Sequence, residues 1–303
     1  MTQRNKFFDI TNYLPESVIS GKHNNLYPLS FKRNDSNLLL SYTTKHYNNA
    51  KRKQHLIVTR NISKSKETFE ALGLLQAEMG KTQNGCITFA NSEPKIINKI
   101  LCWFEKEFDV PYDDWKWYIA INITEDINLD YKREVENKLV GYWVNKTSLK
   151  LDRSYPKIVS YRRVNHTKLK NANYGCLMIE LKSNLFSQII KYFLKSVTHY
   201  DIVKEDKENI RCFLKGILAG ESCIECNPRT KKFRVHLSVT DLEEKKIYIK
   251  LFELLNIEAY NYPGDKIVIS KRENLVKLLK QRLMTLHPRK YNKFLNMMQQ
   301  YPN

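Results

Sequence analysis

Residues 73–78 read GLLQAE, and residues 216–221 read GILAGE. Each stretch opens on a glycine, carries a second small residue four positions later (Ala77 or Gly220), and ends its apolar run on a glutamate, Glu78 or Glu221. Residues four apart share a helix face, so each stretch predicts a helix with a flat stripe that another helix backbone can approach. A glycine inside a helix costs about 1 kcal/mol relative to alanine, so these positions need a packing reason. A carboxylate at a helix C-terminus also opposes the macrodipole, and here it occurs twice. If the two helices pack side by side, both glutamates reach one end of the seam. Two facing carboxylates repel unless a cation lies between them, and magnesium favours carboxylate oxygen and water as ligands. Two ordinary buried helices would explain either stretch alone. The repeat in similar surroundings is what sets the pair apart.

The surrounding chain has 303 residues, a length that suits about two domains. Its net charge is +19, from 51 Lys plus Arg against 32 Asp plus Glu. A surface of that sign asks for a polyanion, with nucleic acid as the first partner and an acidic membrane surface as the rival. No apolar run is long enough to span a membrane. The opening residues MTQRNKFFDITNYLPES lack the apolar core of a secretory signal, so an intracellular location is expected. Six cysteines are scattered, and reduced thiols are expected. Cys223 and Cys226 form a CxxC, but they sit in CIECN, which reads as a strand, where residues three apart point to opposite faces.

Residues 1–60 form an N-terminal extension. NLLLSYTTK there reads as a strand, and NNAKRKQHLIVTR reads as a solvated basic arm running into a strand. From Ser65 a helix begins, with the cap and first-turn acids expected of one. A first half (61–199) then reads helix, strand, helix, strand, helix, two strands, helix. Residues 200–207 read as a linker, and a second half (208–303) reads helix, two strands, helix, two strands, helix, with a further helix at the end. The first half differs by an extra helix between its first two strands. The order of elements points to an internal duplication.

On these residues the chain resembles the LAGLIDADG homing endonuclease family, in the single-chain form with two motif copies. The second half, with FLKGILAGES and its two hairpins, is the closer match; the resemblance covers residues 55–300. It implies an α+β fold of two pseudo-twofold related αββαββα halves, with saddle-shaped antiparallel sheets packed through two central helices. It also implies that Glu78 and Glu221 bind the metal, Mg2+ or Mn2+. The family often holds a basic group near the metals; Lys182 and Arg272, which end the last strand of each half, are the implied positions, with Lys271 adjacent to the second and Lys81, just after Glu78, a further candidate. Gln76 and Ala219 stand where the family has an earlier acid, and Met79 and Ser222 stand where it usually has glycine.

Strand alternation selects the groups that would face DNA. In KFRVHLSVT, Phe233, Val235, Leu237 and Val239 point one way, while Lys232, Arg234, His236, Ser238 and Thr240 point the other, with Arg229 and Lys231 in the adjoining turn. In WKWYIAINIT, Lys116, Tyr118 and Asn122 oppose Trp115, Trp117 and Ile119; in PKIVSYRRV, Tyr161 and Arg163 share a face. The expected activity is that of a monomeric, sequence-specific double-strand DNA endonuclease with an extended asymmetric target, from an intron- or intein-type mobile element. Two other readings stay open: a non-cleaving DNA-binding regulator on the same scaffold, and an intron maturase whose partner is RNA.

Overall fold

The chain folds into an α+β structure. The computed structural model describes residues 6–20, 23–45, 51–80, 85–123, 129–163 and 174–301. Strands β1 (Phe7–Asp9), β2 (Ser17–Ser20), β3 (Asn25–Pro28), β4 (Ser30–Asn34), β5 (Asn37–Lys45), β6 (Lys51–Thr59) and β7 (Asn61–Ser63) precede helix α1 (Lys66–Glu78). Next come β8 (Ile87–Asn91), α2 (Pro94–Phe108), β9 (Trp115–Ile123), α3 (Leu129–Lys146), β10 (Ser154–Arg163), β11 (Cys176–Leu181) and α4 (Asn184–Ser196). Residues 197–204 continue in π- and 3-10-helical turns with Ile202 buried. The chain closes with α5 (Lys207–Glu221), β12 (Ser222–Asn227), β13 (Lys232–Ser238), α6 (Leu242–Leu254), β14 (Tyr260–Tyr262), β15 (Lys266–Ile269), α7 (Arg272–Lys280) and α8 (Pro288–Gln300).

Two compact units form. One comprises Met1–Phe8, Ser63–Glu78 and Tyr192–Asn303; the other comprises Asp9–Ile62 and Met79–Lys191. The first unit holds α1 together with α5 to α8 and the sheet β12-β13-β15-β14, whose pairs are all antiparallel. The seam between α1 and α5 draws α1 into this unit. Their backbones come so close that a Cβ added at Gly73 would collide with the Phe213 carbonyl oxygen, and one at Gly216 would lie 2.6 Å from the Leu74 nitrogen. Phe69, Leu72, Phe213 and Ile217 are fully buried around this contact. Asp206 caps α5 by accepting from the Asn209 N–H at 2.8 Å, and Asp241 caps α6 in the same way.

The second unit contains a four-stranded sheet ordered β10-β9-β11-β8. It differs from the expected all-antiparallel hairpin pattern at one pair: β9 and β10 run parallel. Parallel neighbours need a long crossover, and α3 provides it. The added α2 likewise separates β8 from β9, and β8 pairs instead with β11 on the far side of the sheet. Trp115, Trp117, Ile119, Leu177 and Ile179 are buried on one face of this sheet. Where the basic arm was expected, the described residues from Lys51 form strand β6. Strands β4, β5 and β6 make an antiparallel sheet, because Leu38, Leu40, Tyr42 and Val58 alternate onto one buried face. Its neighbouring hairpin β2-β3 docks on α4: Asn184 Nδ2 and Gln188 Nε2 donate to the Ile19 carbonyl, and the Ile19 N–H donates back to Gln188 Oε1 at 2.7 Å.

The close seam generates a contrast that stability measurements can read. Gly216→Ala improves helix propensity but forces the two backbones apart, so it lowers the unfolding free energy by about 1–3 kcal/mol, the range for overpacked cores. Gly141→Ala in α3, where an added Cβ meets nothing within 4 Å, raises it by up to about 1 kcal/mol. Urea midpoints of the two variants therefore move in opposite directions.

Candidate metal centre and nucleic-acid interface

Glu78 and Glu221 are the last residues of α1 and α5. The stripe that lets the helices approach also brings the acids together. A Cβ on Gly220 would press on the Ala77 methyl and lie 3.0 Å from Glu78 Cγ and 3.5 Å from Glu78 Oε1. The side chain of Glu78 therefore lies over Gly220, beside Glu221 itself. Strand β12 starts directly after Glu221; buried Ser222 turns its hydroxyl back to donate to the Leu218 carbonyl, which fixes the helix–strand junction.

A third group completes the cluster, one that sequence reasoning did not select. Pro288 opens α8 and His287 caps it by accepting from the Lys290 N–H. The Lys290 ammonium then donates to the Gly220 carbonyl, one of the carbonyls that a helix C-terminus leaves without an intrahelical partner. Its charge acts on both carboxylates. Burial pushes the Glu78 carboxyl up to about 7; Lys290 pulls against this and Glu221 adds to it. Burial also pushes the Lys290 ammonium down, while Glu78 and Glu221 hold it up. The sequence signal for Lys290 is weak: it is one of three basic residues in the first six positions of α8, and only its packing distinguishes it.

The implied basic positions Lys182 and Arg272 lie elsewhere in their elements. The ammonium of Lys182 stands 5.1 Å over the Tyr155 ring in the second unit, and Arg272 is the exposed first residue of α7. Lys271 pairs with Glu258 at 2.8 Å. Lys81 lies outside the described residues. Gln76, at the position of the missing earlier acid, donates to Glu244 Oε1 at 2.9 Å and accepts from the Thr198 hydroxyl, so it ties α1 to α6 and to the turn after α4.

The sheet faces alternate as expected in β13. Phe233, Val235, Leu237 and Val239 are buried, while Lys232, Ser238 and Thr240 are exposed and Arg234 and His236 half-exposed. Arg229 and Lys231 are exposed in the turn. Arg234 is not a free cation: its Nε donates to Glu225 Oε2 at 2.6 Å, across the strand pair, and its guanidinium lies 5.5 Å from the Tyr262 ring centre. Burial, with Lys266 and Arg234 nearby, holds the His236 imidazole below its usual range, and its Nδ1 has no hydrogen-bond partner among the described residues. On β9, Lys116, Tyr118 and Asn122 occupy the half-exposed face opposite the tryptophans.

On β10, half-exposed Tyr161 faces α3. Its backbone pairs with Ile121, next to the buried Val159–Ile119 pair, so it sits on the core-side face. Its hydroxyl donates to Glu136 of α3 and Lys132 covers its ring. The parallel register sets this face; alternation alone left it undetermined. The side chain of Arg163 lies outside the described residues, whereas exposed Arg162 pairs with Asn122 on the polar side.

Two hard carboxylates from separate helices, close enough to raise a pKa, fit a divalent cation. The half-buried Lys290 ammonium beside them offsets part of their charge. Folded Glu78 binds its proton more tightly than the unfolded residue, at about 7 against 4.5. The folded chain therefore holds the extra proton between those values, and in chelator its stability falls as pH rises through that window. Glu78→Gln removes this slope and raises the urea midpoint at pH 8. Added magnesium stabilises the native chain at pH 8 and leaves Glu78→Gln nearly unmoved.

The chain matches no family model and no curated protein. It is similar to solved structures of I-DmoI and of a LAGLIDADG domain. With I-DmoI in complex with DNA and manganese it shares 10% identity over 73% of this chain and 98% of that one, at a TM-score of 0.41. With variants of the homing endonuclease I-DmoI the values are 9% identity, 74% and 99% coverage, and a TM-score of 0.33. With the N-terminal LAGLIDADG domain of DUF199/WhiA they are 13% identity, 72% and 83% coverage, and a TM-score of 0.35.

Proposed function

We propose that this chain is a sequence-specific double-strand DNA endonuclease that hydrolyses phosphodiester bonds with divalent metal ions held by Glu78 and Glu221. One observation carries the reading: a glycine-lined seam puts the terminal carboxylates of α1 and α5 beside each other, with the Lys290 ammonium held next to them on the Gly220 carbonyl. When bound, magnesium or manganese supplies Lewis acidity toward a phosphoryl oxygen and lowers the pKa of a ligated water.

The protein's own groups do the rest. Glu78 and Glu221 offer hard oxygen donors on two helices whose spacing the seam keeps rigid. Lys290, held by the Gly220 carbonyl, offers a fixed positive charge for the charge that builds on a phosphate oxygen. The half-exposed faces of β9 and β13 offer donors and acceptors for base edges, and Lys231, Lys232 and Arg229 suit backbone phosphates. The surplus of 51 basic over 32 acidic residues favours a polyanion, and binding is expected to weaken steeply with salt. Unlike halves predict an asymmetric target read by a monomer. Among the described residues no helix is long and apolar enough to cross a membrane.

A second reading is a DNA-binding regulator that does not cut. It is favoured by Lys290 itself, whose charge already acts on both carboxylates without an ion. An intron RNA partner would give tight RNA binding without metal-dependent cleavage. Selection from a randomised duplex library in magnesium, repeated in calcium, separates these readings. Cleavage in magnesium alone, reduced at least about a hundredfold by Glu78→Gln or Glu221→Gln with duplex binding retained, supports the endonuclease. Binding without cleavage in either ion supports the regulator. Lys290→Met is expected to lower the cleavage rate more than it weakens binding.

A further inference from the structure

The N-terminal sheet of β4, β5 and β6 has one face for the protein and one that is largely exposed among the described residues. Register assigns them. Leu38 pairs with Val58 and Leu40 with Leu56 on the inner face. On the outer face Leu39 pairs with both Lys32 and Ile57, Ser41 with His55, and Thr43 with Lys53. Lys32, Lys51, Lys53 and His55 are exposed, as is Ile57 at 68%.

The charge of this sheet is one-sided. Residues 30–59 carry six Lys and Arg (Lys32, Arg33, Lys45, Lys51, Arg52 and Lys53) against a single acid, Asp35. Among the described residues, the side chains of Lys32, Arg33, Lys51, Arg52 and Lys53 form no ion pair. Some exposed lysines elsewhere do find acids, as Lys150 finds Asp113 and Lys246 finds Glu243. Five unpaired cations on one small sheet repel one another, and an external anion relieves that repulsion.

Shape narrows the anion. Beyond Ser41, where its pairing with β4 ends, β5 pairs with β6 alone from Tyr42–Gln54 to Lys45–Lys51, a two-stranded ribbon roughly 14 Å long at 3.4 Å per residue. The major groove of B-DNA admits such a ribbon, while that of A-form RNA is too deep and narrow for side chains to read. The surface also reaches the polar face of β9: Ile57 lines one cleft with Lys116 and Lys182. The exposed Ile57 and half-exposed Leu39 offer apolar contact of the kind a thymine methyl accepts.

We propose that the outer face of β4-β5-β6 is an auxiliary duplex-DNA contact, engaging phosphates through Lys32, Lys51 and Lys53 beyond the DNA read by β9. This rests on the DNA-binding part of the proposed function and not on cleavage. The test is a salt titration of full-length protein on a long random-sequence duplex, in calcium, read by fluorescence anisotropy. The variant is K32E/K51E/K53E, and the control with equal charge change is K95E/K106E/K250E on exposed positions of α2 and α6. Three lost phosphate contacts reduce the slope of log K against log salt by about 2.7 and weaken binding at least roughly tenfold relative to the control. A slope and affinity equal to the control's would overturn the proposal. So would a loss confined to a structured RNA probe, which would assign the face to RNA. If wild type binds no duplex, both this contact and the proposed function fall; if wild type binds but never cuts, the endonuclease reading falls and this one is decided by the slope alone.

Discussion

The approach of α1 to α5 is the constraint on which the candidate site depends. Helices packed through ordinary side chains keep their axes 8–10 Å apart. Here Gly73 and Gly216 remove the side chains that would hold the backbones apart, and each leaves no room for even a methyl group. That contact sacrifices helix propensity twice, and the buried aromatic and aliphatic groups around it, Phe69, Phe213 and Ile217 among them, offset the loss. The same geometry carries through to Gly220, over which Glu78 lies.

A site built this way stores unfavourable electrostatics. A half-buried carboxyl with a pKa near 7, a second carboxylate beside it and an ammonium depressed by burial are three groups whose charges are only partly reconciled. Such arrangements recur where chemistry is done, because a ligand of the right charge recovers the desolvation cost. Lys290 moderates the repulsion in its absence, with its ammonium anchored on the Gly220 carbonyl. The centre is thus assembled from three helix ends, two C-terminal and one N-terminal, that are far apart in sequence.

The two sheets show how one pattern can be elaborated. In the later sheet, hairpins follow each other and all pairs are antiparallel. In the earlier one, α2 and α3 interrupt the strands, and the edge positions are filled by β8 and β10 in a different order, with β9 and β10 parallel. That change of register moved Tyr161 to the face under α3 and left Arg162 on the polar side.

Local chemistry made much of this readable in the sequence. Period-two alternation identified the buried and outward residues of β9 and β13, because a strand's faces follow from its pleat. The spacing of small residues identified the seam, because close helix contact tolerates few side chains, and the two glutamates followed from their position at its end. What the sequence could not supply were relations between distant segments. Alternation says which residues share a face but not which face meets the core; the parallel register with β9 sets Tyr161 on the side of α3. The basic run at Lys51–Lys53 looked like a solvated arm until its pairing with β5 gave it a buried side. Lys290 carried no local mark at all: a lysine near a helix start becomes part of a charged centre only when folding buries it against Gly220, Glu78 and Glu221, and burial is a property of the assembled chain.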